Sequence, residues 1–318
     1  MGMQFAKIAE QAAQDGMIDA GELLSLRQMG WGDGQIHRGE AETIFAINNQ
    51  LKMRDDAWVD FFVEAIGEFV LNGSEPRGMC DNAEACWLID QIDHDGKLES
   101  MAELELLVRV IERAQNVPDL LKNYTLKNIE TAVLTGTGPT RHRDGGNGEG
   151  LSANHISNAE CAIMRRVIFS SGGYGPAAVS RFDAEMLFRL KDATKANDNA
   201  LGWADLFVDG VANYLKGFAL KNAQLSHERV KELESFIADN RVNVARFFGQ
   251  MAREIPQTAN HLGKVFGKKP SRTDYAAMAA AGEEVTSDEQ KWLDAMIEAD
   301  GEVDALERKL LDRIAAED

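Results

Sequence analysis

Carboxylates recur at a regular spacing in four short motifs of this sequence. Each motif begins with Asp-Gly, has an apolar residue two positions after the glycine and ends at a glutamate; the motifs begin at Asp15, Asp33, Asp95 and Asp300. An EF-hand loop has a similar form, with glycine sixth, an apolar residue eighth and a bidentate glutamate twelfth. The chemistry that this spacing predicts is binding of Ca²⁺ or Mg²⁺ through carboxylate oxygens.

Two of the four motifs keep enough carboxylates in EF-hand register to be candidate metal loops. Around Gly301, the first ligand position holds Met296. Around Gly96, Gln91 is first and Ala102 is twelfth, so the last carboxylate is displaced by one place. The candidate ligands are Asp93, Asp95, Glu99 and Glu103 in the earlier loop, and Glu298, Asp300, Asp304 and Glu307 in the later loop. Ca²⁺ takes about six to eight oxygens, so backbone carbonyls and water would complete either site.

The same motif also has a purely structural interpretation. Glycine tolerates the positive φ of a turn, the apolar residue anchors the turn in a core, and the next polar residue caps a new helix. Three pairs have capping-box spacing: Asp19 with Glu22, Ser157 with Glu160, and Asp304 with Glu307. The second pair has no Asp-Gly before it. The motif therefore predicts helix starts, with or without a metal.

The segments that carry these motifs occur twice along the chain. Three pairs of segments line up in the same order: residues 36–45 with 179–188, 58–69 with 203–214, and 84–99 with 289–304. The second pair is offset by 145 residues and the third by 205. The difference, 205 minus 145, predicts about 60 additional residues in the second copy.

The predicted architecture follows from this repetition. Within residues 58–69, large apolar residues recur at helical spacing and acidic residues fall on the opposite face, whereas a strand would alternate. We predict an all-α protein made of two diverged copies of a helical-bundle module, residues 1–134 and 152–318. A Gly-rich linker, residues 135–151, joins them, and a helical insertion at about 218–284 enlarges the second copy.

The last of the four motifs carries a resemblance to a known family. The stretch Ala-Asp300-Gly-Glu-Val-Asp-Ala-Leu-Glu-Arg-Lys-Leu-Leu311, within an acidic helical chain, resembles the tellurite-resistance TerB-like domain. The resemblance is best over the last 35 residues and next best over the first 45. It implies a compact helical bundle without catalytic machinery. In that family such bundles are associated with stress responses, acidic metal-facing surfaces and partners at the inner membrane.

Composition narrows the class of partner and the compartment. The formal charge is -18, so the chain lacks the basic footprint with which nucleic-acid binding begins. No apolar run approaches the roughly 20 residues that span a bilayer, and the N-terminal residues lack signal-peptide features. The three cysteines have no disulfide-framework spacing. We predict a cytoplasmic protein that is not integral to a membrane and does not bind nucleic acid.

The insertion is the predicted partner-binding region. Residues 218–284 carry ten Lys or Arg and eight Asp or Glu, a net charge of +2 against -20 for the remainder. Val244, Phe247, Phe248 and Met251 share one helical face, with arginines nearby. Two interpretations stay open, since this face either packs on its own module or meets an anionic surface. We predict a protein partner here and leave peripheral membrane contact open.

Signatures of the common enzymes are missing from the sequence. It holds no His-Glu-x-x-His, Gly-x-Ser-x-Gly or paired Cys-x-x-Cys. A carboxylate-based enzyme would use acidic residues of both copies, with Asp60 and Asp205, or Glu64 and Asp209, as its candidates. The sequence favours instead a non-enzymatic TerB-like binding or scaffold protein, stress-related and modulated by Ca²⁺ or Mg²⁺. An EF-hand-like calcium-binding protein is the first alternative, and the carboxylate-based enzyme is the second.

Overall fold

The computed structural model describes residues 16–30, 34–93, 98, 100–141, 153–170, 179–215, 287–297 and 303–315. Within these ranges the chain forms α-helices, a short 3₁₀ turn and no strand. The helices are α1 Ala20–Gly30, α2 Arg38–Gln50, α3 Asp56–Asn72, α4 Asn82–Ile92, α5 Met101–Arg113, α6 Asp119–Thr135, α7 Asn158–Ile168, α8 Arg181–Thr194, α9 Trp203–Leu215, α10 Ser287–Ile297 and α11 Ala305–Ala315. The all-α prediction is confirmed for this part of the chain.

Polar side chains determine where many of these helices begin. Asp55 caps α3 by accepting a hydrogen bond from a backbone N–H of its first turn. Asp81, Ser100, Ser157 and Ser180 begin α4, α5, α7 and α8 with complete capping boxes. Each box satisfies two backbone N–H groups that would otherwise lack a partner at the helix start. These helix starts are therefore encoded by the local sequence.

Helices α5 and α6 form the centre of the described fold. Helix α5 packs against α3, α6 and α7, while α6 also packs against α4, α7 and α8. Eight of the 13 residues of α5 are buried, including Leu104, Leu107 and Ile111. Its apolar residues form a broad stripe that is buried, while Glu105, Arg109 and Glu112 lie outside the buried set, as expected for an amphipathic helix. The two central helices thereby connect the helices before the Gly-rich stretch with α7 and α8 after it.

Two clusters of aromatic side chains fill parts of the core. Phe45 of α2 meets Phe62 of α3 edge-on, with the ring centres 5.1 Å apart. Phe188 of α8 meets Phe207 of α9 in the same way, also at 5.1 Å. Such edge-to-face contacts add to the free energy gained by burying the rings. Trp58 and Trp203, the first residues of the aligned segments 58–69 and 203–214, are both buried.

The first residues of the Gly-rich stretch are packed against α6. Gly136 ends α6 with a φ of 71°, a left-handed conformation that glycine adopts without steric cost. Pro139–Arg141 then form the 3₁₀ turn, which contacts α6 and α5, and both Pro139 and Arg141 are buried. Residues 142–152 lie outside the described part of the chain. The predicted module boundaries stay predictions.

The chain divides by its contacts into two compact units. One comprises Met1–Tyr214 with Met296–Asp318, and the other is Leu215–Ala295. The second unit contains the predicted insertion, whose residues 218–284 lie outside the described residues. The partner-binding prediction for the insertion therefore stays a prediction. None of the described helices has both the length and the apolar character required to cross a bilayer.

Candidate functional site

Half of the predicted metal ligands lie in the described part of the chain. Asp93, Glu103, Asp304 and Glu307 are placed there, while Asp95, Glu99, Glu298 and Asp300 lie outside it. Among the described residues, no group of three or more His, Cys, Asp or Glu side chains is arranged to hold a metal ion. The two metal loops stay a prediction, and the contacts of the four placed carboxylates decide what these residues do in the fold.

In the earlier loop, Glu103 joins α5 to α2. It is 5% exposed, and one carboxylate oxygen accepts a hydrogen bond from the Ser100 backbone N–H at 3.1 Å. The other oxygen accepts from Asn48 Nδ2 at 3.2 Å. Asp93 is instead exposed at the end of α4, where it accepts a long hydrogen bond from the Tyr124 hydroxyl. Of these two predicted ligands, one faces the core and the other faces solvent.

Asn48 of α2 is the centre of a buried hydrogen-bond network, in which its own amide is uncharged. It is fully buried, and its Oδ1 accepts from Trp58 Nε1 at 3.2 Å and from Arg54 Nε at 3.0 Å. Its Nδ2 donates to Glu103, while its backbone carbonyl accepts from Arg54 Nη2 at 2.7 Å. An asparagine side chain both donates and accepts. The amide can therefore serve an indole N–H and a buried carboxylate at the same time.

In the later loop, Asp304 and Glu307 form the capping box that their spacing predicts. Asp304 Oδ1 accepts from the Glu307 N–H at 2.9 Å, and Glu307 Oε2 accepts from the Asp304 N–H at 2.8 Å. The other two predicted pairs form the same reciprocal bonds: Asp19 with Glu22, and Ser157 with Glu160. The structural interpretation of the spacing is confirmed at all three helix starts.

Lys191 of α8 is a charged centre that the sequence interpretation missed. Its Nζ lies 2.5 Å from Glu307 Oε1 and 2.9 Å from Asp304 Oδ2. Asp192 Oδ1 is a third neighbour at 2.8 Å. Lys191 is 2% exposed and Glu307 is fully buried, so this ion pair holds α11 against α8 inside the fold. The signal in the sequence was a lysine directly after Leu190, on a helix whose interior positions are mostly apolar.

The contacts of Lys191 keep its ammonium charged. Burial alone would lower the pKa of Lys191, because it removes the charge from water, but hydrogen bonds with Asp192, Glu307 and Asp304 raise that pKa above its ordinary value. Burial likewise acts to raise the pKa of Asp304, but the Glu307 N–H and the Lys191 ammonium lower it overall. Lys191 and Asp304 therefore form an ion pair at neutral pH.

Trp203 lacks the kind of hydrogen bond that Trp58 makes. The Nε1 atom of Trp203 is buried, and the described residues supply no acceptor for it. Its ring packs beside Phe207, which in turn contacts Phe188 below the Lys191 ammonium. A buried N–H that has lost its water partners without replacement reduces stability. Within the described residues, Trp203 therefore contributes through the packing of its ring.

Two further carboxylates at helix starts are buried and face a cation. Glu160 at the start of α7 lies 2.8 Å from Arg141 Nε, and both side chains are at most 1% exposed. Asp183 at the start of α8 lies 3.9 Å from Nζ of the buried Lys122. Burial raises the pKa of Asp183, although Lys122 opposes the shift. The third residue of a helix thus repeatedly supplies a buried carboxylate to a neighbouring element.

Arginines join the helices on the two sides of the Gly-rich stretch. Arg166 of α7 donates to Glu105 and Glu112 of α5 over distances of 2.8 to 3.1 Å. The hydrogen bond with Arg166 lowers the pKa of Glu112. Arg189 of α8 donates to Glu130 of α6 at 2.7 Å. Because paired guanidinium–carboxylate bonds are strong and directional, they fix the orientation of α7 and α8 on the central helices.

The carboxylates considered for an enzyme lie on exposed helix faces. Asp60 is exposed on α3. The other three each pair with a cation from another helix: Glu64 with Arg27 at 2.9 Å, Asp205 with Lys309 at 2.7 Å, and Asp209 with Arg165 at 3.3 Å. These are the surroundings of ordinary surface carboxylates, since an exposed ion pair contributes little free energy and leaves both groups in water.

Neither protein-family models, nor curated proteins, nor solved structures match this chain. The TerB-like resemblance therefore stays a prediction. Function has to be inferred from the contacts of the described residues.

Proposed function

We propose that this chain is a non-enzymatic binding or scaffold protein of the TerB-like kind, which acts in the cytoplasm as part of a stress response. The use of its buried carboxylates supports this proposal. Glu103, Glu160 and Glu307 each begin a helix and bind a group on another element. Carboxylates held in this way stiffen the framework, because their oxygens are already bonded. The exposed faces of the helices are then the surfaces through which the protein acts.

We further propose that this framework consists of two diverged copies of one module. Residues 36–45 align with residues 179–188 at an offset of 143. Extending this alignment by three residues pairs Asn48 with Lys191. Asn48 contacts Glu103 at the start of α5, and Lys191 contacts Glu307 at the start of α11. The two glutamates end the aligned Asp-Gly motifs. Glu103 and Glu307 lie one place apart in that alignment (offset 204, against 205 for the motifs), but each is the third residue of its helix and each is bonded by one of the paired residues, which supports a repeated module.

A capture experiment run beside a turnover experiment tests the binding function. The biotinylated full-length chain is exposed to a lysate of the organism that encodes it, with an unrelated protein of similar charge as the control, and retained proteins are quantified by mass spectrometry. The same chain is incubated with a metabolite extract. We expect reproducible, near-stoichiometric protein partners and no metabolite change in proportion to the chain. The proposal would be contradicted if a metabolite were converted in proportion to the amount of chain added and no protein partner were retained.

Modulation by Ca²⁺ or Mg²⁺ is a separate part of the proposal. Lys191 already engages Asp304 and Glu307, so a cation in the later loop would compete with this ion pair for oxygens. Calorimetric titration of Ca²⁺ into the metal-stripped chain, repeated with Asp95→Ala and Asp300→Ala, tests this part. Saturable binding that weakens in either variant would favour the calcium-binding alternative. No heat at millimolar Ca²⁺, with folding intact, would leave the motifs as helix starts.

A further inference from the structure

A shallow cleft lies between α1 and the start of α3. Its volume is about 240 Å³, and its apolar lining includes Ile18, Leu23, Leu24 and Ala57. Pockets for small molecules and cofactors usually measure about 300 to 1,000 Å³ and enclose most of their ligand. A smaller and open cleft accommodates one or two side chains of a peptide better than it accommodates a cofactor.

Large apolar side chains are exposed in and beside this cleft. Leu24 in its wall is 56% exposed. Met17 directly precedes Ile18, and Met53 lies two residues before Asp55, so each methionine is close in sequence to a residue that lines the cleft. These methionines are 53% and 69% exposed. Exposed apolar side chains that cluster mark interaction surfaces, and methionine adapts its shape to irregular partners.

The polar edge of the cleft is acidic. Asp19 and Asp55 each use Oδ1 to cap a helix, and their Oδ2 atoms make no hydrogen bond within the described part of the chain. Arg27 also lines the cleft, but its guanidinium is 2.9 Å from Glu64 and lies over the Phe61 ring at 5.5 Å. The positive charge of Arg27 is therefore already compensated. The two aspartates give the cleft its net negative charge.

We propose that this cleft binds an amphipathic helical segment of a partner protein that carries Lys or Arg beside its apolar face. The inference rests on the proposed binding function and specifies the chemistry of the partner. Charge complementarity selects this occupant, because basic groups would meet Asp19 and Asp55 while apolar side chains cover Leu24. A symmetric contact with a second copy would bring the same carboxylates together. Anionic lipid and nucleic acid would be repelled for the same reason.

Binding of a designed peptide to the full-length chain tests the proposal. The probe is a fluorescent leucine–lysine peptide of about four helical turns, with leucines at i, i+3, i+4 and i+7 so that they form one face. A peptide of the same composition, with its leucines spread around the helix, is the control. Binding is followed by fluorescence anisotropy at low and at physiological salt. We expect at least about tenfold tighter binding of the patterned peptide, because only its leucines can cover the cleft together.

Variants of the chain locate the binding surface. Leu24→Glu should weaken binding of the patterned peptide by about tenfold or more, since it places a charge in the apolar wall. Asp19→Asn combined with Asp55→Asn keeps both helix caps and removes both charges, so binding should weaken by about fivefold and lose much of its salt dependence. Leu201→Glu is the matched control, because Leu201 is 97% exposed and does not line the cleft. Circular dichroism verifies that each variant is folded.

Two outcomes would overturn the proposal. One is equal binding of the patterned and control peptides, or equal weakening by Leu24→Glu and Leu201→Glu, which would show unspecific attraction to an acidic surface. The other is no binding of the patterned peptide by the folded chain at millimolar concentration. If the capture experiment still retains protein partners, the cleft assignment alone has failed. If it retains none, the proposed binding function has failed with it.

Discussion

Two helix starts in this chain are held by opposite chemistry. Glu103 at the start of α5 is held by the neutral amide of Asn48, whereas Glu307 at the start of α11 is held by the ammonium of Lys191. Both holding residues are buried. An amide network loses free energy in small steps when one hydrogen bond is removed, but a buried ion pair that loses one partner leaves a charge without compensation. The two regions should therefore differ in sensitivity to substitution.

The tryptophans Trp58 and Trp203 differ in their hydrogen bonding. Trp58 donates its Nε1 proton to Asn48 Oδ1, while the buried Nε1 of Trp203 finds no acceptor among the described residues. A lysine ammonium has donors only, so it cannot replace the acceptor oxygen of an asparagine. Within the described residues, Lys191 forms an ion pair with Glu307, and Trp203 Nε1 has no acceptor.

Breaking the ion pair between Lys191 and Glu307 should have the largest effect on the free energy of unfolding. Lys191→Met keeps most of the side-chain volume but leaves Glu307 buried without its ammonium. We expect the free energy of unfolding to fall by about 3 kcal/mol, the lower end of the cost of breaking a buried ion pair. Urea unfolding followed by circular dichroism measures this. A loss below about 1 kcal/mol would mean that the pair is hydrated and that the contrast between the two regions is wrong.

Substitution of Asn48 should lower the free energy of unfolding by a smaller amount. Asn48→Ala removes the acceptor for Trp58 Nε1 and Arg54 Nε and the donor to Glu103, so three side-chain hydrogen bonds of this network are lost. We expect the free energy of unfolding to fall by about 2 kcal/mol, measured in the same urea experiment. A loss that exceeds the loss in Lys191→Met would reverse the proposed order of the two regions.

A matched pair of tryptophan variants isolates one hydrogen bond. Trp58→Phe and Trp203→Phe remove the same atoms from two buried sites, but among the described residues only the first removes a hydrogen bond. We expect Trp58→Phe to reduce the free energy of unfolding by about 1 kcal/mol more than Trp203→Phe does. Equal losses would indicate that the bond to Asn48 contributes nothing beyond packing.

The smallest expected effect is a change in how stability depends on pH when Asp304 is substituted. Its pKa in the folded chain is lowered by the Glu307 N–H and Lys191, so ionised Asp304 stabilises the fold above the ordinary aspartate value of about 3.9. This stabilisation is lost as pH falls through the folded-state pKa. Asp304→Asn keeps a capping side chain but cannot titrate. Its stability should therefore decrease less than that of the unchanged chain on going from about pH 5 to about pH 3.

An exposed aspartate supplies the control for the pH experiment. Asp60 lies on the exposed face of α3. The stability of the Asp60→Asn variant should therefore follow that of the unchanged chain over the same pH range. If Asp304→Asn and Asp60→Asn give the same pH dependence, the ion pair with Lys191 does not contribute to acid sensitivity.

The helix starts could be predicted from the sequence because their contacts are local. Ser157 and Glu160 are three residues apart, and the capping box that joins them needs no information from the rest of the fold. The partner of Glu307 could not be predicted in this way, since Lys191 is 116 residues distant and only packing brings the two together. The carboxylate spacing also could not separate a cap from a metal loop, because both use the same acidic positions.

The arginine bonds that cross the Gly-rich stretch make the covalent link between the two sides partly redundant. Arg166 and Arg189 attach α7 and α8 to the central helices, which also bury apolar faces against them. A specific protease site introduced within residues 142–152 should therefore yield two fragments that remain associated after cleavage. Fragments produced separately should reassemble on mixing, which would make this chain a candidate for a split reporter whose signal depends on reassociation of its halves.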